Sequence, residues 1–278
     1  MFHFDNATIG DLDIDYDDLV KQSIALINSP HKNRGQFHYN STKVSFPKTP
    51  SKQPAVADPP QPSDPVELLS PLKESDATSA VMDITVDSFK LESKTTWFGR
   101  SSDFADGNRI YDKLVDYYIG SFDKTNSHTY WEAKFIPAIY HHEIVPVSAS
   151  ASHFSYLAMI CYKFPFPLAN RVFYELVHIH KLDDSVMLIQ VPVNPDLYSA
   201  QKEKYPDTPK TSSVPTHSLV HGKYTSIEKI SLDKSSNLVN WTMITIPAPG
   251  GNIPDFVTKM SIAKQIANDV PHFLEFTP

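Results

Sequence analysis

The stretch His221-Gly222-Lys223-Tyr224-Thr225-Ser226-Ile227-Glu228-Lys229-Ile230, then Val239-Asn240-Trp241-Thr242-Met243-Ile244-Thr245, then Pro249-Gly250-Gly251-Asn252-Ile253-Pro254, leads into an apolar-striped segment that runs to the end of the chain. In the second run Trp241, Met243 and Thr245 alternate with Asn240, Thr242, Ile244 and Ile246, the period of a strand. Beyond the glycine pair, Ile253, Phe256, Val257, Met260, Ala263, Ile266, Val270 and Phe273 recur at three- and four-residue steps, one stripe of an α-helix. Gly250-Gly251 supplies the turn, and Pro254 stands in the first helical turn, where a missing N–H is harmless. An interior proline removes a donor at about 3 kcal/mol, so Pro271 predicts a kink or a short separate final turn. Two paired strands followed by one long final helix predict a lid laid over an apolar space.

Upstream, alternation predicts further strands at Ala80–Leu91, Ser93–Arg100, Thr129–Ile139, Glu143–Val147, Phe154–Phe164, Val172–His180 and Val186–Asn194, with a helix at Tyr111–Ile119 and a polar loop at Pro195–Pro215. Many strands on short turns, with one helix early and one last, predict an α+β fold: a curved antiparallel sheet gripping a long C-terminal helix.

Three zones organise the chain. Residues 1–29 are acidic at first (Asp5, Asp11, Asp13, Asp15, Asp17, Asp18) and predict a helix from Tyr16 to Asn28 with its acids at the favourable end. Residues 30–79 shift in composition: eight prolines lie from Pro47 to Pro71 among Ser, Lys, Asp and Gln, too polar to offset the entropy of ordering, which predicts a flexible linker or long surface loop. Residues 80–278 carry the folded domain. Ser29-Pro-His-Lys, Thr49-Pro-Ser-Lys and Ser70-Pro-Leu-Lys fit the pattern preferred by proline-directed kinases, which marks Ser29, Thr49 and Ser70 as phosphorylation sites; Thr208-Pro209 is a weaker match. Phosphates there would weaken contact with anionic membranes.

A net charge of −7 over 278 residues excludes a nucleic-acid surface, which needs clustered Lys and Arg. The single cysteine, Cys161, lies in the apolar run Phe154–Tyr162 and reads as a small buried hydrophobe in a reducing compartment. Met1-Phe-His-Phe-Asp-Asn lacks the basic start and apolar run of a signal peptide, and no stretch reaches the roughly 20 apolar residues of a membrane span. The expectation is a cytoplasmic protein, peripheral at membranes.

No catalytic motif is assembled. His141-His142-Glu143 would place its imidazoles on opposite faces of a strand, which rules out one shared ion on regular backbone. His178 and His180 share a face, but without a Cys pair or carboxylate cluster nearby they read as a hydrogen-bonded pair rather than a metal site. No Gly-x-Ser-x-Gly elbow, Gly-x-Gly-x-x-Gly loop or phosphate-binding Lys motif occurs, so neither catalytic residues nor a cofactor are expected. The expected pocket is apolar with a few polar tips: Tyr174, Tyr224, Trp241 and Met243 from strands, Phe256, Val257 and Met260 from the final helix, and Arg171 for an anionic head group.

Gly222-x-Tyr-x-Ser-Ile-Glu-x-Ile, Val239-Asn-Trp-Thr-Met-Ile-Thr and Pro249-Gly-Gly-Asn-Ile-Pro-Asp-Phe-Val together resemble the C-terminal signature of a fungal branch of the START (StAR-related lipid-transfer) superfamily, a branch of unknown function. Trp97-Phe98-Gly99-Arg100-Ser101 and Pro165-Phe-Pro-Leu-Ala-Asn-Arg171-Val-Phe173 agree with its upstream motifs, although Val172 stands where the family usually has Asp. The resemblance spans Trp97 to Phe276 and assigns Trp97 and Arg100 to fold formation. It implies a helix-grip domain that binds, and transfers between membranes, a lipid or sterol without chemistry. The alternative is a phosphorylation-regulated adaptor on the same scaffold with a filled interior. A third class, enzymatic, stays open because such folds also host cyclases and hydrolases.

Overall fold

Strict alternation along the central strands sends every second side chain to each face of one sheet, and in a computed structural model of the protein both faces are covered. The structure describes residues 4, 8–47, 78–93, 95–105, 107–205, 216–251 and 255–276, excepting the side chains of 217 and 255–260. The strands are β1 (Lys32–Phe46), β2 (Thr78–Glu92), β3 (Thr96–Phe104), β4 (Ile139–Ala149), β5 (His153–Tyr162), β6 (Arg171–Lys181), β7 (Ser185–Pro192), β8 (Val220–His221), β9 (Lys223–Asp233) and β10 (Leu238–Ala248). Their order is β1-β2-β3-β10-β9-β7-β6-β5-β4, antiparallel throughout, with β8 parallel beside β6. The helices are α1 (Tyr16–Ile27), α2 (Gly107–Leu114), α3 (His128–Phe135), α4 (Pro195–Glu203) and α5 (Asp255–Glu275), and a π turn (Val115–Ile119) continues α2.

The inner face packs against α2, the π turn, α3 and the second half of α5, with Trp241, Tyr156, Ile160, Val177, Leu188 and Ile230 buried beneath Ala267, Val270, Phe273 and Leu274. Leu157, Met159, Cys161, Leu176, Met187 and Ile189 alternate with these and form the outer core under α1 and α4. Among the described residues no helix is long and apolar enough to cross a membrane.

Four expectations are corrected. The linker expected over 30–79 is a strand in its first part: β1 pairs Phe37 with Val86, Tyr39 with Ile84 and Val44 with Ala80, and buries Val44 and Phe46. The sheet therefore starts at Lys32 rather than at residue 80, since the sparse apolar residues of 32–46 need only a partner strand and α5 to cover them. Residues 48–77, with Thr49 and Ser70, lie outside the described residues, as does Thr208-Pro209. The strand expected at Thr129–Ile139 is α3, because the Ser127 side chain accepts the Tyr130 N–H and caps a helical turn. The loop expected at Pro195–Pro215 opens with α4, where Asn194 caps the Asp196 N–H and Pro195 opens the first turn. Finally, α5 runs through Pro271 to Glu275 as a single helix without a separate final turn. Burial of Val270, Phe273 and Leu274 at about 1.5–3 kcal/mol each outweighs the proline's roughly 3 kcal/mol.

On the outer face His178 and His180 meet His153, with ring centroids 5.6–5.8 Å apart, and Tyr16 of α1 stacks on His178 at 4.5 Å. No group of three or more His, Cys, Asp or Glu among the described residues is placed to hold a metal ion. Burial first, then the neighbouring His180 and His153, lowers His178 from 6.5 to about 3. Asp17 pulls the other way at His180 alone. An unfolded chain takes up a proton below about pH 6.5 that the fold refuses; stability is therefore complete above that pH and falls toward pH 3, by about 1.4 kcal/mol per unit. His178→Gln is expected to flatten this slope in urea melts between pH 7 and 5. An unchanged slope would remove His178 as its cause.

Candidate inner-face polar site

Charged residues at inward positions of a strand are costly unless paired, and the inner face carries several. Arg100 of β3, Glu175 of β6, Gln190 of β7 and Ser226 and Glu228 of β9 are all buried there. Glu228 is saturated: it accepts Trp241 Nε1–H at 2.9 Å, the Tyr118 hydroxyl at 2.7 Å and Arg100 Nη2–H at 3.1 Å. The π turn brings Tyr118 to this point and ends at Gly120, whose φ of 68° suits glycine. The Arg100 guanidinium stacks on the Trp241 ring at 4.1 Å, while its Nε and Nη1, though fully buried, have no hydrogen-bond partner among the described residues. Ser226 Oγ donates to Gln190 Oε1 at 2.8 Å, and Gln190 Nε2 donates to Glu175 Oε2 at 3.4 Å.

Glu132 of α3 and Asp269 of α5 face the same region. Burial, reinforced by Asp269 and Glu228, pushes Glu132 up to about 8. Burial raises Asp269 to about 7 against the pull of Arg100. Glu175 is held well above the carboxylate range by burial and then by Glu132. His128, bonded through Nδ1 to the Tyr118 carbonyl at 2.7 Å, is lowered by its own burial. Glu132 is desolvated on this scale and yet keeps 15 % of its side-chain surface accessible; Asp269, Tyr162 and Tyr224 are likewise only partly covered.

Of the residues expected to line a pocket, Tyr224, Trp241 and Met243 face inward, Met243 and Tyr224 meeting Phe98, Ile262 and Ile266. Tyr174 is corrected: it neighbours inward Glu175, so alternation sends it outward, where it meets Tyr198 edge-on at 5.3 Å. Arg171, expected at an anionic head group, clamps the turn before α5. It donates to the carbonyls of Ala169, Pro249 and Gly250 and lies over the Phe164 ring. That turn requires Gly250 and Gly251, both at φ +67°. Phe256, Val257 and Met260 lie on α5, with side chains outside the described ones. Ser29 follows α1 and donates to the Ala25 carbonyl. Glu228, Glu175, Glu132, Asp269 and Tyr118 were not singled out in the sequence reading, which assigned Arg100 to fold formation alone. The available signal was a charge in the inward phase of an otherwise apolar strand, as at Glu228 between Ser226 and Ile230.

A separate groove of about 300 Å³ lies on the outer face, lined among others by Ile27, Ser29, Phe89 and Lys229. It is on the opposite side of the sheet from Arg100 and Glu228, and the buried charges make the inner face the stronger candidate.

The family model described as "Protein of unknown function (DUF3074)" matches residues 97–277. No curated protein matches the sequence. Among solved structures, human StAR-related lipid transfer protein 5 is similar at 10 % identity over 68 % of this chain and 80 % of its own, with a TM-score of 0.50. Human STARD10 is 14 % identical over 68 % of each chain, at a TM-score of 0.48. The lipid transfer and protein localization domain of human StarD13 (DLC2) is 12 % identical over 69 % of this chain and 85 % of its own, at 0.47. The sheet and its C-terminal helix form the START helix-grip fold.

Proposed function

The chain belongs to the DUF3074 family of unknown function, and from its fold we propose that it binds one lipid or sterol between the inner sheet face and α5, without chemistry. The observation that carries this reading is Arg100. A fully buried guanidinium whose Nε and Nη1 have no hydrogen-bond partner among the described residues bears a desolvation cost that an acceptor on a bound molecule would relieve. Apolar Phe98, Met243, Ile262 and Ile266 nearby suit a hydrocarbon body. The names of the human neighbours, which refer to lipid transfer, agree with this. The single thiol, Cys161, sits on the other face with its proton held up to about 11 by burial, unsuited to nucleophilic attack. Uptake requires the start of α5 to part from the sheet, and a membrane surface is where an apolar ligand enters.

Protein exposed to mixed vesicles of phospholipid and sterol, repurified and weighed by native mass spectrometry, is expected to carry one lipid per chain. Folded protein that emerges without bound lipid would overturn the reading.

A further inference from the structure

Ser29 stands just beyond Asn28, which closes α1, and opens the Ser-Pro-His-Lys run that fits a proline-directed kinase. The fold leaves this run within reach of an enzyme: Ser29 is half-exposed, and Pro30, His31 and Lys32 are exposed. Ser29 also lines the outer-face groove of about 300 Å³, together with His31, Asn240, Thr242 and Lys229. On the sheet side the groove holds a polar row that crosses three strands in register. Ser101 of β3 stands opposite Thr242 of β10, and Thr242 stands opposite Lys229 of β9. The Ser101 and Thr242 hydroxyls are 2.7 Å apart, and Asn240 Nδ2 donates to Ser101 Oγ at 3.0 Å. Lys229 has neither an ion pair nor a hydrogen bond among the described residues. Two acids flank the other end of the row, Asp87 opposite Ser101 and Asp103 two residues along β3. They accept from Gln36 at 2.6 Å and from Asn240 at 2.8 Å. An anion in this groove is therefore drawn to the Lys229 end.

We infer that Ser29 is a phosphorylation site and that the outer-face groove receives its phosphate at Lys229, fastening the end of α1 to β9. A proline-directed protein kinase supplies the group from ATP: the Ser29 O–H bond is replaced by an Oγ–P bond, the bond from phosphorus to the leaving ADP breaks, and the proton passes to the buffer. Two features of the helix end turn the phosphate away from α1. The unmodified hydroxyl donates to the Ala25 carbonyl at 2.8 Å, and a phosphorylated Oγ has no proton to donate. The last turn of α1 carries no basic residue, so a dianion beside its free carbonyls meets the negative end of the helix dipole uncompensated. The groove supplies the opposite environment, an ammonium with hydroxyl and amide donors beside it. The inference is independent of the lipid-binding reading, because the groove lies on the other side of the sheet.

The full chain with Thr49→Ala and Ser70→Ala, which leaves Ser29 as the only complete match to the kinase pattern, is incubated with a cyclin-dependent kinase and ATP. Mass spectrometry is expected to map phosphate to Ser29, and folded protein left unmodified there overturns the site. The receptor is tested on full-length protein that carries phosphoserine at position 29, incorporated during synthesis and titrated by phosphorus NMR. The second proton of a phosphoserine leaves near pH 6 in an unstructured chain. In the folded protein it is expected to leave at least about 0.5 pH units lower than in the same protein unfolded in urea, because Lys229 favours the dianion. Lys229→Met should return the phosphate to its value in urea, and Lys229→Arg should keep the shift. Thermal melts establish that the variants are folded, and Lys229→Gln takes the place of Lys229→Met should that one fail to fold. A phosphate that titrates as it does in urea, or a shift that persists in the folded variant without the cation, overturns the assignment of the groove as its receptor.

Discussion

Arg100→Met is expected to destabilise the protein by about 3–5 kcal/mol at neutral pH, because it leaves Glu228 buried without its cation. Methionine keeps most of the volume over Trp241, so the loss reports charge rather than a cavity. Adding Glu228→Gln should restore part of the stability: the amide oxygen still accepts from Trp241, its NH2 donates to the Tyr118 hydroxyl oxygen, and it carries no charge. Urea unfolding of the two singles and the double measures the coupling. Additive losses would mean that the ion pair does not act as a unit.

The second large effect is expected at Lys113. Its ammonium donates to the carbonyls of Ser45 at 2.5 Å and of Leu274 and Phe276 at 2.7 Å, tying β1 to the C-terminal end of α5. A cation at a helix C-terminus is also favoured by the helix dipole. Burial alone pulls this lysine down to about 7, so it is retained against a desolvation cost. Lys113→Met keeps the packing on Phe273 and strands three carbonyls, each costing about 1–3 kcal/mol if left dry. Allowing for water reaching some of them, a loss of roughly 2–4 kcal/mol is expected, with amide exchange accelerating most in the last turns of α5. Uniformly faster exchange across the sheet would show that Lys113 has no special hold on that helix.

Both effects turn on side chains that carry little weight in a linear reading. Arg100 and Glu228 are 128 positions apart, and Lys113 meets carbonyls 68 to 163 positions away. Nothing local marks Lys113 as buried, since it stands in a short helix beside Asp112 and Asp116. Tyr174 shows the complementary error: the strand was recognised, but its phase was not, and one step along a strand exchanges one face for the other.

The chain's own periodicities determined the antiparallel strands β5, β6, β7, β9 and β10 and the long α5 helix. Alternation and the 3.6-residue stripe are local, and the order of these elements leaves few ways to bury them. Tertiary structure alone decided three things. It made a strand of 32–46, whose apolar residues are too few to predict one until β2 and α5 cover them. It made α3 a helix where alternation suggested a strand, once Ser127 capped it and Phe135 found Tyr118 and Phe273. And it gathered Arg100, Glu132, Glu228 and Asp269 beneath α5, because the cost of burying a charge is settled by partners that the fold supplies from distant parts of the chain.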